Sequence, residues 1–305
     1  MQQHFSRNLS QCARVCFPGY RPSALLLRTR MIMAGHRHRA LAERFFISPP
    51  QSALSRIMAD RPQMLGALVW PYQCAGWDVP TRLERILDHY RMIDNLPPVF
   101  RFETDKKIEI LDMSGTHDGL RLIMDQPRWF MREGGLVLNL FKGNFRAYSL
   151  AFSLHQAQNG GLEAVIGGLQ GRNTGDALAI YRDLTKSFMG IRPRDFLVDV
   201  LRILCRQIGV NRILAVSQKH RHHQHPYFNK SDLSPDYDEI WSDRAGQQVS
   251  PEFFEIPIDP GHRDLDTVKP KKRSLYRKRR AFLEDTETAL CETLPDAPAV
   301  TFVDT

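Results

Sequence analysis

The stretch FRAYSLAFSL at residues 145–154, with NGG at 159–161 and LEAVIGGL at 162–169 behind it, decides the fold. Tyr148, Leu150, Phe152 and Leu154 alternate with Ala147, Ser149, Ala151 and Ser153, so bulky side chains project from one face and small ones from the other. A period of two belongs to a strand, and this asymmetry suits one packed on a core with another backbone close to its back. Asn159-Gly160-Gly161 supplies a turn, and Leu162 to Leu169 is the next strand. Upstream, KIEILDM (107–113), Leu120 to Met124 and Leu136 to Phe141 read as earlier strands parted by Gly and Asp turns, which makes an antiparallel meander.

On both sides of the meander the period becomes helical. Before it, Leu83, Ile86, Leu87 and Tyr90 share one helix face, with Thr81 and Glu84 spaced as a capping box. Shorter helices are expected over Ala53 to Met58 and Met64 to Trp70, and Pro97-Pro98 closes the region. After the meander, Asp176 to Phe188 fits a helix, and Pro193 to Ile208 fits one better. Phe196, Leu197, Val200, Leu201, Leu204 and Ile208 line its face, Pro193 opens it, Asp195 answers its positive end and Gly209 stops it. RILAVS (212–217) is a buried strand, followed by a helix over Tyr237 to Arg244, a strand over Phe253 to Ile258 and a basic helix from Ser274. The sum is an α/β (α+β) protein: N-terminal helices, then a mixed, mostly antiparallel sheet flanked by helices, with a right-handed crossover.

One domain is expected over 44–290, with a helical part over about 44–96 and a sheet-containing part over about 98–290; 291–305 reads as a flexible tail. From Met1 to Leu41 there is no Asp or Glu, while Arg7, Arg14, Arg21, Arg28, Arg30, Arg37 and Arg39 recur. Residues 1–43 therefore read as a basic disordered extension, or as an over-extended reading frame that truly begins at Met31 or Met33. Ala24-Leu25-Leu26-Leu27 is too short for the apolar stretch of a signal peptide.

The chain has 42 Lys and Arg against 34 Asp and Glu, a net charge of +8. That balance favours an anionic partner: a small anion, a lipid surface or a nucleic acid. Mean hydropathy is −0.37, and no apolar run reaches the roughly 18 to 20 residues of a membrane span. Five scattered cysteines are no disulfide framework and fit a reducing cytoplasm, with attachment at the periphery of the inner membrane as a further option.

Four segments could carry chemistry. Gln170, Gly171, Arg172, Asn173 and Gly175 lie where a strand gives way to a helix; glycines let amides approach an anion, and Arg172 adds a fixed charge. A bulge followed by a turn accounts for the same glycines without a ligand. Arg192 and Arg194 flank a helix-opening proline, where they hold a phosphate or carboxylate or are simply solvated. His220, His222, His223 and His225 offer imidazoles, but in extended chain the pairs face opposite ways and no acid lies within the run. A metal site there needs a ligand from elsewhere. Last, Lys271, Lys272, Arg273, Arg277, Lys278, Arg279 and Arg280 form a cationic run suited to nucleic acid, anionic lipid or lipopolysaccharide, or to solvent beside Glu284, Asp285 and Glu287. Tyr148, Tyr181, Tyr227 and Tyr237 are candidate acids and Glu163 and Asp183 candidate bases, but spacing fixes no geometry for them.

From Trp129 onward the sequence resembles the bacterial VirK/YbjX family. The resemblance is carried by WFMREGG (129–135), YSLAF (148–152), IGGLQG (166–171), GIRPR (190–194), ILAVS (213–217), YDEIW (237–241) and SLYR (274–277), in that order. It implies an accessory role in virulence, resistance to antimicrobial peptides or envelope stress, with no catalytic residues to carry over. The order of elements is also similar to that of GCN5-related acyltransferases. That resemblance implies coenzyme A held by Gln170, Gly171, Arg172 and Gly175, although the helix expected over Asp176 to Phe188 breaks the usual spacing.

Overall fold

The alternating stretch becomes the long middle strand of a nine-stranded sheet. The structure is a computed structural model that describes residues 2–157, 160–228, 235–261 and 265–296, with the backbone of 299–300. Strands β1 (Lys107–Asp112), β2 (Leu120–Asp125), β3 (Leu136–Lys142), β4 (Phe145–Gln156) and β5 (Leu162–Gly171) run antiparallel in sequence order, as the meander requires. Asn159 of the expected turn lies outside the described residues.

Strand β6 (Val210–Val216) then lies parallel to β5. Beyond it come β7 (Gln247–Gln248) and β8 (Phe253–Ile256), with β8 antiparallel to β6; β9 (Ala299–Val300) pairs with β1 at the far edge. The sheet order is β7-β8-β6-β5-β4-β3-β2-β1-β9.

Helices α1 (Gln2–Cys16), α2 (Pro22–Arg37), α3 (Arg39–Arg44), α4 (Ala53–Asp60) and α5 (Val79–Asn95) precede the sheet. Two more, α6 (Ala177–Ser187) and α7 (Pro193–Gln207), make the crossover; α8 (Tyr237–Asp243) follows β6, and α9 (Pro270–Thr293) closes the chain of helices. Helix α7 packs across β3, β4, β5 and β6, while α5 packs on β4. Its apolar stripe is fully buried: Phe196, Leu197, Val200, Leu201 and Leu204 are each at most 1% exposed. Pro193 stands in its first turn with Asp195, and Gly209 takes φ +73 just past its end.

Both faces of β4 are buried, Ala147, Ser149, Ala151 and Ser153 included, as a core on one side and another backbone on the other require. Three expectations change. Helix α5 is capped by the Asp78 carboxylate accepting from the Thr81 amide, not by a Thr81–Glu84 box. Residues 2–37, expected to lack a packed structure, form two helices. Phe5, Leu9, Cys12, Ala13 and Phe17 recur at helical spacing and are buried, and α1 packs against α2 and the 3-10 turn of Pro62–Leu68. The expected tail from 291 begins instead as the last turn of α9, and 299–300 adds to the sheet edge.

Candidate functional site

The parallel pair β5–β6 is where the sheet changes direction, and ligands in such sheets gather at the carboxyl ends of parallel strands. Ala164 and Ile213 are ladder partners, so no cleft opens there. The ladder ends at Ile166–Ala215, while β5 runs on to Gly171. The cause is local. Ala151 pairs with Gly168 and Phe152 with Ile166, so Gly167 is an extra residue, a bulge that bends β5 away from β6.

The gap is filled by side chains. The Leu169 amide donates to the Tyr237 hydroxyl at 2.6 Å, which donates in turn to the Leu169 carbonyl at 3.0 Å. Trp241 Nε1 donates to the Val216 carbonyl at 2.8 Å. Both rings come from α8 and are buried.

On Gly167 and Gly168 sits the loop before β3. A Cβ at Gly167 would overlap the Glu133 carbonyl, and one at Gly168 the Glu133 carboxylate. Glu133 is 3% exposed; Gln170 Nε2 donates to its Oε1, and its Oε2 has no hydrogen-bond partner. Burial pushes this carboxyl up to about 8, against the opposing pull of the Gln170 donor and the Arg221 charge.

Two further loops meet here. The Gln73 amide donates to the Arg132 carbonyl at 2.7 Å and the Ala75 amide to the His220 carbonyl at 2.8 Å, so residues 73–75 tie both together. Gln73 is fully buried in the left-handed region at φ +51, a conformation that costs a non-glycine residue about 1 kcal/mol or more. Its Nε2 donates to the Val165 carbonyl at 2.9 Å, and its Oε1 lies 3.3 Å from His155 Nε2. His155 Nδ1 has no partner, and burial, reinforced by Arg85, holds this imidazole well below its ordinary range.

The histidine run is not extended. Two 3-10 turns, Gln218–His220 and His222–Gln224, fold it, so the side chains do not alternate. His222 is buried with Nε2 3.9 Å from Glu133 Oε1, and the half-buried His223 ring stands 3.7 Å from the His222 ring. His220 Nδ1 lies 3.0 Å from Ser217 Oγ, and His225 Nδ1 accepts from the Tyr227 amide at 3.1 Å. Both serve their own loop. The acid that the run lacks is supplied by Glu133, which sequence reasoning missed.

The glycine and arginine candidates are placed differently from this centre. Gln170 belongs to it through Glu133. Gly171 is overlain by the Tyr148 ring, which lies 5.1 Å from that of Tyr181, and Tyr181 donates to the Arg172 carbonyl at 2.6 Å. Asn173 and Gly175 are exposed, Gly175 at φ +42. Arg192 and Arg194 both reach Asp195 and Asp243, at 3.1 to 3.8 Å, so their charge is answered within the protein. Arg194 and Arg192 also lie near enough to Tyr148 to draw its phenol down against the larger effect of burial.

The basic run is the start of α9. Lys271, Lys272, Arg277, Lys278 and Arg280 are exposed. Arg273 pairs with Asp266 at 3.6 Å, Arg280 with Glu284 at 2.7 Å, and Arg279 donates to the Met189 carbonyl. No helix among the described residues is long and apolar enough to cross a membrane.

Residues 22–292 match the family described as "Protein of unknown function (DUF535)". An uncharacterized protein of Haemophilus influenzae is 31% identical over 126 residues, 41% of this chain and 42% of that protein. A second from the same organism is 25% identical over 158 residues, 50% of each. The uncharacterized protein YbjX of Escherichia coli is 25% identical over 239 residues, 76% of this chain and 72% of YbjX. The chain thus spans half or less of the length of the two Haemophilus relatives. No solved structure matches, and the acyltransferase resemblance receives no support from these relatives.

Proposed function

From the premise that the chain belongs to the DUF535 family, with YbjX among its relatives, we propose that it is a VirK/YbjX-type accessory protein of envelope stress or virulence that docks on anionic lipid headgroups through the first turns of α9. The observation that carries this reading is electrostatic. Lys271, Lys272, Arg277 and Lys278 are exposed and make no ion pair among the described residues. The first turn holds cations and no acid at the positive end of the helix dipole, an arrangement unfavourable until an anion arrives. Leu275, 38% exposed between these cations, favours lipid over nucleic acid, because interfacial helices set an apolar side chain among snorkelling lysines.

Sedimentation of the full chain with phosphatidylglycerol vesicles tests it. Each of Lys271→Ala, Lys272→Ala, Arg277→Ala and Lys278→Ala is expected to weaken partitioning roughly fivefold, about 1 kcal/mol per charge. Added salt should weaken the wild type more steeply than the variants. Equal retention of wild type and a quadruple variant, or binding to duplex DNA without binding to vesicles, overturns the lipid reading.

A second reading, acyl transfer from coenzyme A, is favoured by one observation: the parallel β5–β6 pair whose ladder ends at Ile166–Ala215 beside the Gly167–Gly171 segment. Tyr237 and Trp241 fill that place, so the cofactor needs them to move. Acetyl-coenzyme A that raises the thermal midpoint supports this reading, and an unchanged midpoint at saturating concentration removes it.

A further inference from the structure

We propose that Glu133, His222 and His223 form a binding site for a divalent transition-metal ion of the zinc class. The three residues each offer a ligand atom, and these atoms lie within 4.8 Å of one another. Glu133 Oε1 and His222 Nε2 are 3.9 Å apart, whereas two ligands on a tetrahedral zinc are separated by roughly 3.3 Å at the usual bond lengths.

A second, independent observation points to a cation. Glu133 is 3% exposed and its Oε2 has no hydrogen-bond partner, although buried carboxylate oxygens are ordinarily satisfied. The unpartnered Oε2 lies over Gly168, while Oε1, which accepts from Gln170, is the oxygen 3.9 Å from His222 Nε2; a carboxyl group this buried, with one oxygen unanswered, favours a bound cation over solvent it cannot reach. Arg221 does not take this place: its guanidinium lies 3.8 Å over the Tyr237 ring and donates to the Pro235 carbonyl. Two imidazoles and a carboxylate match the borderline softness of zinc, and calcium or magnesium would call for oxygen ligands. Three protein ligands leave a fourth position for water or an anion.

The experiment uses the full chain, stripped with a chelator and titrated calorimetrically with Zn²⁺, with Co²⁺ as a spectroscopic probe of four-coordinate geometry. One ion per chain is expected. Glu133→Gln and His222→Ala are expected to weaken it by on the order of a hundredfold, and His223→Ala by at least about tenfold. His223 is half-buried, so His223→Ala keeps the test decisive even where the two buried variants fail to fold. His225→Ala, whose Nδ1 serves the Tyr227 amide, is the control and should bind as the wild type does. No stoichiometric binding, retention of affinity by His223→Ala, or equal loss in His225→Ala would overturn the site.

Discussion

Gly168 shows what a single missing Cβ does for this protein. It lies in β5 under the Glu133 carboxyl group, and its backbone is not in the left-handed region, so alanine is opposed there by that side chain alone. Gly168→Ala drives a methyl group into a buried acid and should destabilise the protein by about 1–3 kcal/mol, the usual range for overpacking. Urea midpoints of the single variant and of Gly168→Ala in a Glu133→Ala background measure this directly. The double variant should recover most of the loss, since the methyl then occupies the vacated volume, giving a coupling of about 1 kcal/mol or more. A Gly168→Ala protein as stable as wild type would mean that Glu133 does not rest there. The same contact explains why this acid was illegible in the sequence. A lone Glu between Arg132 and Gly134 reads as solvated loop, and the contact that covers it comes from β5, 35 positions on at Gly168. The two glycines at 167–168 were visible, but one sequence cannot say whether glycine admits a ligand or a neighbouring loop.

At the scale of elements, legibility follows period. The first five strands and α7 were readable because alternation and the 3.6-residue stripe are strong where one element spans a core. Boundaries shifted by a residue or two, as with Arg212 to Ser217 against the observed Val210–Val216. Helix α1 carried the same kind of signal in Phe5, Leu9, Cys12, Ala13 and Phe17, but recurring arginines drew the reading toward an unfolded arm. Those arginines occupy positions outside the buried stripe, which is compatible with a packed helix. The histidine run failed for a different reason. Judging its faces needed its conformation, and two 3-10 turns replaced the extended chain assumed for it. Side-chain alternation is evidence about a site only after the backbone is known.

Across the whole molecule, the most consequential unread feature is buried imidazole. His89, on α5, and His155, on β4, are fully buried; His89 Nε2 and His155 Nδ1 lack partners, and the Leu154 amide donates to His89 Nδ1 at 3.1 Å. Burial holds His89 down at about 3 and His155 well below its ordinary range, so both stay neutral in the folded protein at pH values where unfolded chain would protonate them. The unfolded state therefore binds more protons below the ordinary histidine pKa of about 6.5, and stability falls as pH falls through that value toward the folded pKa. Between about pH 7 and about pH 5 the two residues together should remove about 3–4 kcal/mol, a large share of the roughly 5–15 kcal/mol that holds a domain folded. Other groups titrate in the same window, so the decisive quantity is a difference. Unfolding free energies of wild type, His89→Asn and His155→Asn, measured in urea across this range, should show each variant's acid-dependent decline smaller than that of the wild type by about 2 kcal/mol. Asparagine at 89 keeps an acceptor for the Leu154 amide, which separates loss of the titration from loss of the hydrogen bond. Parallel curves for all three proteins would show that neither imidazole is held neutral, and that the loops around β4 admit solvent.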